Sequence, residues 1–140
     1  MRNMDLAADH VRRAAIRLKA LDVLFDHQSW ADVVRESQEV VELALKGLLR
    51  AHGVEPPRIH DVSEVLLAER RRLPEAIQDE MDALVLISRN LRRDRELAFY
   101  GAEDLTPSSF YNRADAERAR EDARRTVDAV LPHVELPDAP

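Results

Sequence analysis

The feature that most constrains this chain is the spacing of its apolar residues, which recur three and four positions apart. Between residues 5 and 25 they fall on one helical face, at Val11, Ala14, Ala15, Leu18, Leu21 and Phe25. The segments 30–48, 77–91 and 116–130 carry the same pattern. This period buries one side of a helix, whereas a half-buried strand needs strict alternation. The sequence therefore predicts four long amphipathic helices.

The composition also favours helices. The 140 residues include only 3 glycines, and aromatic residues make up 4%, so the residues that favour a sheet are scarce. Hydrophobic residues at 45% and charged residues at 34% are typical of a soluble globular domain. Cysteine is absent, which excludes disulfides, thiolate metal ligands and a thiol nucleophile. No apolar run reaches the length of a membrane span, and the charged N-terminus lacks a signal-peptide core, so we expect a cytoplasmic protein without membrane contact.

Capping residues indicate where the long helices begin and end. Ser29 and Asp32 have the spacing of a capping-box pair at the start of the second helix. Asn112 and Asp115 repeat that spacing before the last helix. Gly53 suits the residue after a helix C-terminus, and the Glu-Pro-Pro beyond it cannot continue a helix. These signals predict helices joined by short connections.

Between the second and the last long helix we expect one short helix and one ordered loop. Asp61 or Ser63 can cap the short helix, which runs through residues 65–67. Pro74 suits the first turn of the next long helix. Residues 98–111 contain glycine, proline and serine and are typical of a loop.

Short connections make sequential helices antiparallel neighbours. The predicted fold is therefore all-α, an up-and-down four-helix bundle with an extra short helix. We assign the bundle to residues 1–134 and expect residues 135–140 to form a loose C-terminal tail.

Two basic clusters stand out against the net charge of −6, which itself argues against a protein that coats nucleic acid through its overall field. One covers residues 70–72. In the other, Arg89, Arg92 and Arg93 fall at i, i+3 and i+4 and can share one helix face. Cations are favoured at helix C-termini, which offers a purely structural explanation of this arginine cluster. Clustered guanidiniums also repel one another, and a phosphate or carboxylate would relieve that repulsion, while Tyr100 can stack on a base or bond to a phosphate.

Other kinds of chemical site find little support. The five histidines lack the i, i+4 or His-Glu-x-x-His spacing of a metal site, so we expect no metal and no cofactor. Phosphate-binding loops and the hydrolase Gly-x-Ser-x-Gly turn are absent. Glu117 and Glu121 fit a solvated helix face rather than an acid–base pair. His60 and Asp61 precede the short helix, and we expect them to act as a structural cap that locks the loop by local hydrogen bonds.

Four segments together resemble the HEPN domain (higher eukaryote and prokaryote nucleotide-binding) over residues 5–131. They are the run SWADVVRESQEVVELALKGLLRAHGV, the triplet His60-Asp61-Val62, the stretch RRDRELAFYG and the segment FYNRADAERA. No single segment is specific, but their order and spacing are similar to those of the family. The resemblance implies a helical bundle that forms homodimers, since ribonuclease members bring their motifs together across a dimer interface.

Those ribonuclease members carry an Arg, then four to six residues, then a His, often followed by a Tyr. By the resemblance, Arg93 matches the Arg and Tyr100 matches the Tyr, whereas Ala98 occupies the His position. In the family the Arg steadies a phosphate, and the His assists proton transfer in metal-independent cleavage by the 2′-hydroxyl. Because alanine cannot transfer a proton, we expect a catalytically weak or inactive member and lean toward a protein that is not an enzyme.

Three functions stay open at this point. The first is a module that binds a nucleotide or an RNA phosphate through Arg89, Arg92, Arg93 and Tyr100 at a homodimer interface. The second is a toxin-type ribonuclease in which Tyr100 or His60 replaces the lost His. The third is a structural scaffold that pairs with another protein and bonds its arginines to its own carboxylates. The resemblance also suggests a minimal nucleotidyltransferase as a partner, in a bacterial module of toxin–antitoxin type.

Overall fold

The computed structural model describes the backbone at residues 2–58, 61–100 and 110–137, and the side chains at 4–58, 61–93 and 110–137. Its α-helices are α1 (Arg2–Asp26), α2 (Trp30–Ala51), α3 (Val62–Ala68), α4 (Glu75–Asp79), α5 (Met81–Tyr100) and α6 (Arg113–Val130). Short 3-10 turns cover Arg70–Arg72 and Leu131–His133. These ranges contain no strand, which confirms the predicted all-α class. No helix within them is both long and apolar enough to cross a membrane.

One hydrophobic core holds the helices together, and α2 lies at its centre. Helix α2 packs against α1, α5 and α6, while α3 packs against α5. The largest fully buried side chains include Leu21, Leu45, Leu48, Leu49, Leu66, Ile77, Met81 and Leu84. Full burial of one such side chain stabilises a fold by about 1.5–3 kcal/mol. The up-and-down order of the helices and the domain boundary at residue 134 stay predictions.

The segment predicted as one helix from Pro74 onward is two helices. Pro74 is the N-cap of α4 rather than a first-turn residue, and Glu80 separates α4 from α5 with φ −99° and ψ 6°. The Glu80 N–H bonds to Ile77 O at 3.1 Å, three residues back, so the chain is wound more tightly here than in an α-helix. Ile77 and Met81 are both 1% exposed. The break therefore interrupts the helix without exposing its apolar face.

Helix α5 continues to Tyr100, three residues into the segment that was predicted as a loop. The prediction was wrong for Ala98-Phe99-Tyr100, because these residues contain neither Gly nor Pro and the first glycine follows at 101. Residues 101–109 of that segment lie outside the described residues.

The predicted capping residues take different roles. Asn112 Oδ1 accepts from Asp115 N at 3.0 Å and Asp115 Oδ2 accepts from Asn112 N at 3.0 Å, which completes a capping box at the start of α6. Ser29 is the N-cap of α2, but its hydroxyl donates to Asp32 Oδ2 at 2.6 Å and caps no backbone N–H. Gly53 follows α2 with φ 78°, the left-handed conformation expected after a helix end.

Helices α1 and α2 come close together at Gly47. A β-carbon built on Gly47 would lie 2.6 Å from Val11 Cγ2 and 3.1 Å from Ala7 O. Both distances are shorter than ordinary van der Waals contact between heavy atoms. Any larger residue here would force the two helices or the Val11 side chain to shift, so glycine is favoured at this point of the α1–α2 contact.

Arg120 joins the last long helix to the first. Its Nη1 donates to Asp22 Oδ1 at 3.0 Å, and its Cζ lies 3.8 Å from the centroid of the Phe25 ring. Trp30 packs edge-on against the same ring with 5.0 Å between centroids. Trp30 thus packs against the hydrophobic core.

Candidate functional site

Helix α5 places the clustered residues Arg89, Arg92 and Arg93 in two different environments. Arg89 and Arg92 face the start of α3. The Arg89 Nε donates to Ser63 Oγ at 3.1 Å, and Arg92 Nη1 lies 3.9 Å from Asp61 Oδ1. Arg93 instead lines a cavity beside α6. The predicted common pocket is thus divided between two sides of α5.

Asp61 is the residue that caps α3. Its Oδ1 accepts from Ser63 N at 2.9 Å, which satisfies one of the unpaired N–H groups at the helix start. The Ser63 side chain is fully buried, and its hydroxyl oxygen accepts a hydrogen bond from Arg89. The cap predicted for Asp61 is confirmed, while His60 lies outside the described residues.

A partly buried row of polar residues on α2, made of Gln38, Glu42 and Lys46, lies near Arg92. Gln38 Nε2 donates to Glu42 Oε2 at 2.9 Å, and Lys46 Nζ lies 3.2 Å from Glu42 Oε1. Burial alone would raise the pKa of Glu42, but the Gln38 hydrogen bond, Lys46 and the charge of Arg92 together hold that pKa below its ordinary value. The ionised carboxylate of Glu42 therefore adds negative charge on the side of α5 where Arg92 lies.

The cavity that Arg93 lines has a volume of about 350 Å³ and lies where α5 faces α6. Its apolar lining residues are Val34, Leu91 and Ala119. Its polar and charged lining residues are Asn90, Arg93, Asp115, Arg118 and Asp122. Pockets of about 300–1,000 Å³ with an apolar floor and a few polar groups are typical of small-molecule sites.

Two aromatic rings precede α6 at one edge of this cavity. Phe110 and Tyr111 meet in a T-shaped contact with 4.9 Å between centroids. Tyr111 is 7% exposed and belongs to the core, whereas Phe110 is 37% exposed. An exposed ring beside guanidiniums can stack against a nucleobase.

The two acidic residues of the cavity differ in their bonding. Asp115 is engaged in the capping box, and its Oδ1 accepts from Arg118 Nη2 at 3.4 Å. Within the part of the chain that the structure describes, no hydrogen bond or ion pair engages the Asp122 carboxylate. Burial raises the pKa of Asp122, although the charges of Arg118 and Arg125 oppose this shift. Among the described residues, Asp122 is thus a half-buried acid that lines a cavity without a bonding partner.

Two histidines of the described ranges, His10 and His52, lie in partly buried surroundings. His52 Nδ1 lies 2.9 Å from Leu48 O at the end of α2. Burial, followed by the charge of Arg50, lowers the pKa of His10 below its ordinary value. Over residues 4–58, 61–93 and 110–137 no three His, Asp or Glu residues are grouped so that they could hold a metal ion.

Sequence reasoning missed Arg118, Asp122 and Phe110. The first two lie at i and i+4 on α6, a spacing that placed them on one face. That face looked no different from the solvated one that Glu117 and Glu121 occupy, and both of these glutamates are indeed exposed. The side chains of residues 94–100, which include Ala98 and Tyr100, lie outside the described residues, so the role of Tyr100 stays a prediction.

Comparison with known proteins supplies the family. The family model described as HEPN domain matches residues 7–133, which is most of the chain. Comparisons with curated proteins and with solved structures found no match. The all-helical architecture agrees with the match. The chain therefore belongs to the HEPN domain family.

Proposed function

We propose that this protein is a nucleotide- or RNA-phosphate-binding module whose phosphate site is the cavity between α5 and α6. The observation that supports this most is that Arg93 from α5 and Arg118 from α6 line one cavity, with the exposed ring of Phe110 at its edge. Guanidiniums bind phosphate oxygens through charge-assisted, often bidentate hydrogen bonds. A base attached to that phosphate can stack on the aromatic ring.

Arg89 and Arg92 have a second role in this proposal. Their contacts with Ser63 and Asp61 fix the position of α3 against α5, so we assign them to the rim of the site and to its support. Arg93 is assigned the direct phosphate contact, as the resemblance to the family implied. Tyr100 is retained as a candidate ligand because it ends the same helix.

The test is a fluorescence anisotropy titration with a labelled single-stranded RNA, in competition with mononucleotides. Substitution of Arg93 or Arg118 by alanine should weaken binding at least about tenfold, the effect of losing one charge-assisted hydrogen bond. Arg13→Ala is the matched control, because Arg13 is a half-exposed arginine on α1 that does not line the cavity. Absence of binding, or equal binding by Arg93→Ala, would refute the proposal.

The scaffold alternative is favoured by a specific observation. Arg92 lies near the Asp61 carboxylate and Arg89 bonds to Ser63, so both guanidiniums already contribute to the packing of the chain. The ribonuclease alternative has family membership in its favour, while Ala98 stands against it. Incubation of purified protein with RNA, beside its Arg93→Ala variant, separates these functions: cleavage lost in the variant supports the ribonuclease.

The assembly proposed here is a homodimer in the bacterial cytoplasm, with a minimal nucleotidyltransferase as a partner in a toxin–antitoxin-like module. Family membership supports this assembly. Sedimentation velocity of the purified chain tests the dimer: a monomer at the concentrations that bind RNA would contradict it. Copurification with a nucleotidyltransferase encoded next to it would support the partner.

A further inference from the structure

The Asp122 carboxylate is the feature of the cavity that phosphate binding leaves unexplained. It is half-buried, and no hydrogen bond or ion pair engages it within the described residues. Withdrawing an acid from water without a partner is unfavourable, and burial accordingly raises the pKa of Asp122. A ligand that brings N–H donors to this carboxylate would remove that cost.

The cavity contains complementary groups arranged along α6. Arg118 and Asp122 are one helical turn apart, about 6 Å along the axis, so a cation and an acceptor line the same wall. Arg93 adds a second cation from α5, and the Phe110 ring lies at the edge. A fitting ligand has an anionic end, a flat ring and adjacent N–H donors.

Among the common nucleobases, guanine alone presents two adjacent donors, N1–H and N2–H, that a carboxylate can accept together. Adenine offers a donor beside an acceptor, and so does cytosine, while uracil has one donor between two acceptors. These groups lie on the Watson–Crick edge of the base, and bases outside a duplex are commonly recognised through hydrogen bonds to that edge. On these grounds, and resting on the proposed function, we propose that the cavity selects guanine nucleotides, with the base held by Asp122 and the phosphate by Arg93 and Arg118.

Isothermal titration of the full chain with GMP, IMP and AMP tests the selection. GMP should bind about tenfold or more tightly than AMP, the discrimination given by one bidentate base contact. IMP keeps N1–H and lacks the N2 amine, so it should bind between the two. This comparison changes only the ligand and does not depend on the folding of any variant.

Asp122→Asn tests the residue. The preference for GMP over AMP should fall below about threefold, because the amide keeps one acceptor and loses the bidentate carboxylate. AMP affinity should not fall, because adenine brings no donor pair to this carboxylate and the substitution removes a negative charge near Arg118. Glu117→Gln is the matched control, since Glu117 is an exposed acid on α6 that does not line the cavity, and it should keep the full preference.

Single-stranded hexamers of adenosine, with and without one central guanosine, distinguish a free nucleotide from a guanosine in RNA. If the guanosine raises the affinity of the hexamer and GMP does not displace that hexamer, the ligand is RNA. If GMP displaces the hexamer, the ligand is a free nucleotide. Equal affinity for GMP and AMP, lost in Arg93→Ala, would overturn guanine selection and leave phosphate binding intact. Absence of all nucleotide and RNA binding would overturn both.

Discussion

The Asp61 Oδ1 atom lies 2.9 Å from the backbone N of Ser63 and 3.9 Å from Nη1 of Arg92, so one carboxylate links the start of α3 to α5. The neighbouring Ser63 hydroxyl accepts from Arg89 and makes a second link between the same helices. The seven-residue helix α3 is too short to be stable alone. Its position therefore depends on these contacts and on the burial of Leu66.

Replacing Asp61 separates its two roles. Asp61→Ala removes the cap of α3 and should lower the free energy of unfolding by about 1 kcal/mol. Asp61→Asn keeps a capping oxygen and removes the charge near Arg92, which is half-exposed, so it should cost less than about 0.5 kcal/mol. Urea denaturation of both variants measures the difference, and equal losses would show that the cap contributes little.

Gly47→Ala should destabilise the protein even though alanine is the better helix former. The new methyl would lie 2.6 Å from Val11 Cγ2, and overpacking of this kind costs about 1–3 kcal/mol. In a double-mutant cycle, Val11→Ala should reduce the cost of Gly47→Ala. Thermal unfolding measures the coupling; additive effects would mean that α1 and α2 separate to accept the methyl.

Asp122→Asn should make the protein more stable at pH 7. Because burial raises the pKa of Asp122, the folded state favours the protonated acid, and this stabilisation is lost as the pH rises through that raised pKa. The amide never ionises, so the variant does not lose this stabilisation. Its gain in the free energy of unfolding should be less than about 1 kcal/mol, because solvent partly screens the group. Its advantage over the wild type should vanish below about pH 4, where the acid is protonated in both states.

Glu42→Gln should make the protein less stable at pH 7, in contrast to Asp122→Asn. Burial raises the pKa of Glu42, but Gln38, Lys46 and Arg92 outweigh it and hold the pKa low. The ionised form therefore stabilises the fold at pH values above the ordinary glutamate pKa. At pH 7 the variant should have a lower unfolding temperature than the wild type. The difference should disappear as the pH falls through the lowered pKa, and unfolding scans across that range check the sign.

Arg120→Lys tests the contact with Phe25. Lysine keeps the charge near Asp22 but has no planar group to lie over the ring. The free energy of unfolding should therefore fall by about 0.5–1 kcal/mol. Arg124 lies 3.5 Å from the same carboxylate and is half-exposed. Arg124→Lys should therefore change stability by less, and equal effects of the two changes would argue against a contribution from the ring.

Much of the fold could be predicted because each helix carries its own apolar period and several end signals. Gly53 and the Asn112–Asp115 pair act through neighbours a few residues away, so local sequence is enough to predict them. The break at Glu80 was not predictable in this way. Ile77 and Met81 are four residues apart and fit one uninterrupted helix equally well.

The candidate site was less predictable because it depends on which helix lies on each side of α5. Arg89 and Arg93 are four residues apart in one sequence cluster, yet one bonds to Ser63 of α3 and the other lines the cavity beside α6. Asp122 is unusual only because a cavity lies beside it, and a single helical pattern contains no information about that. Family resemblance made Arg93 a candidate, whereas tertiary structure was needed to bring Arg118 and Asp122 into consideration.

The contact between Asp22 and Arg120 has a consequence for the order of folding, because these residues are 98 positions apart in the chain. Helices α1 and α2 are joined by three residues, so their pairing closes a very short loop. Docking of α6 on α1 closes one of the longest loops in the protein, and the entropy of closure rises with loop length. The α1–α2 hairpin should therefore form before α6 docks, and the wall of the cavity that carries Arg118 and Asp122 is completed late in folding.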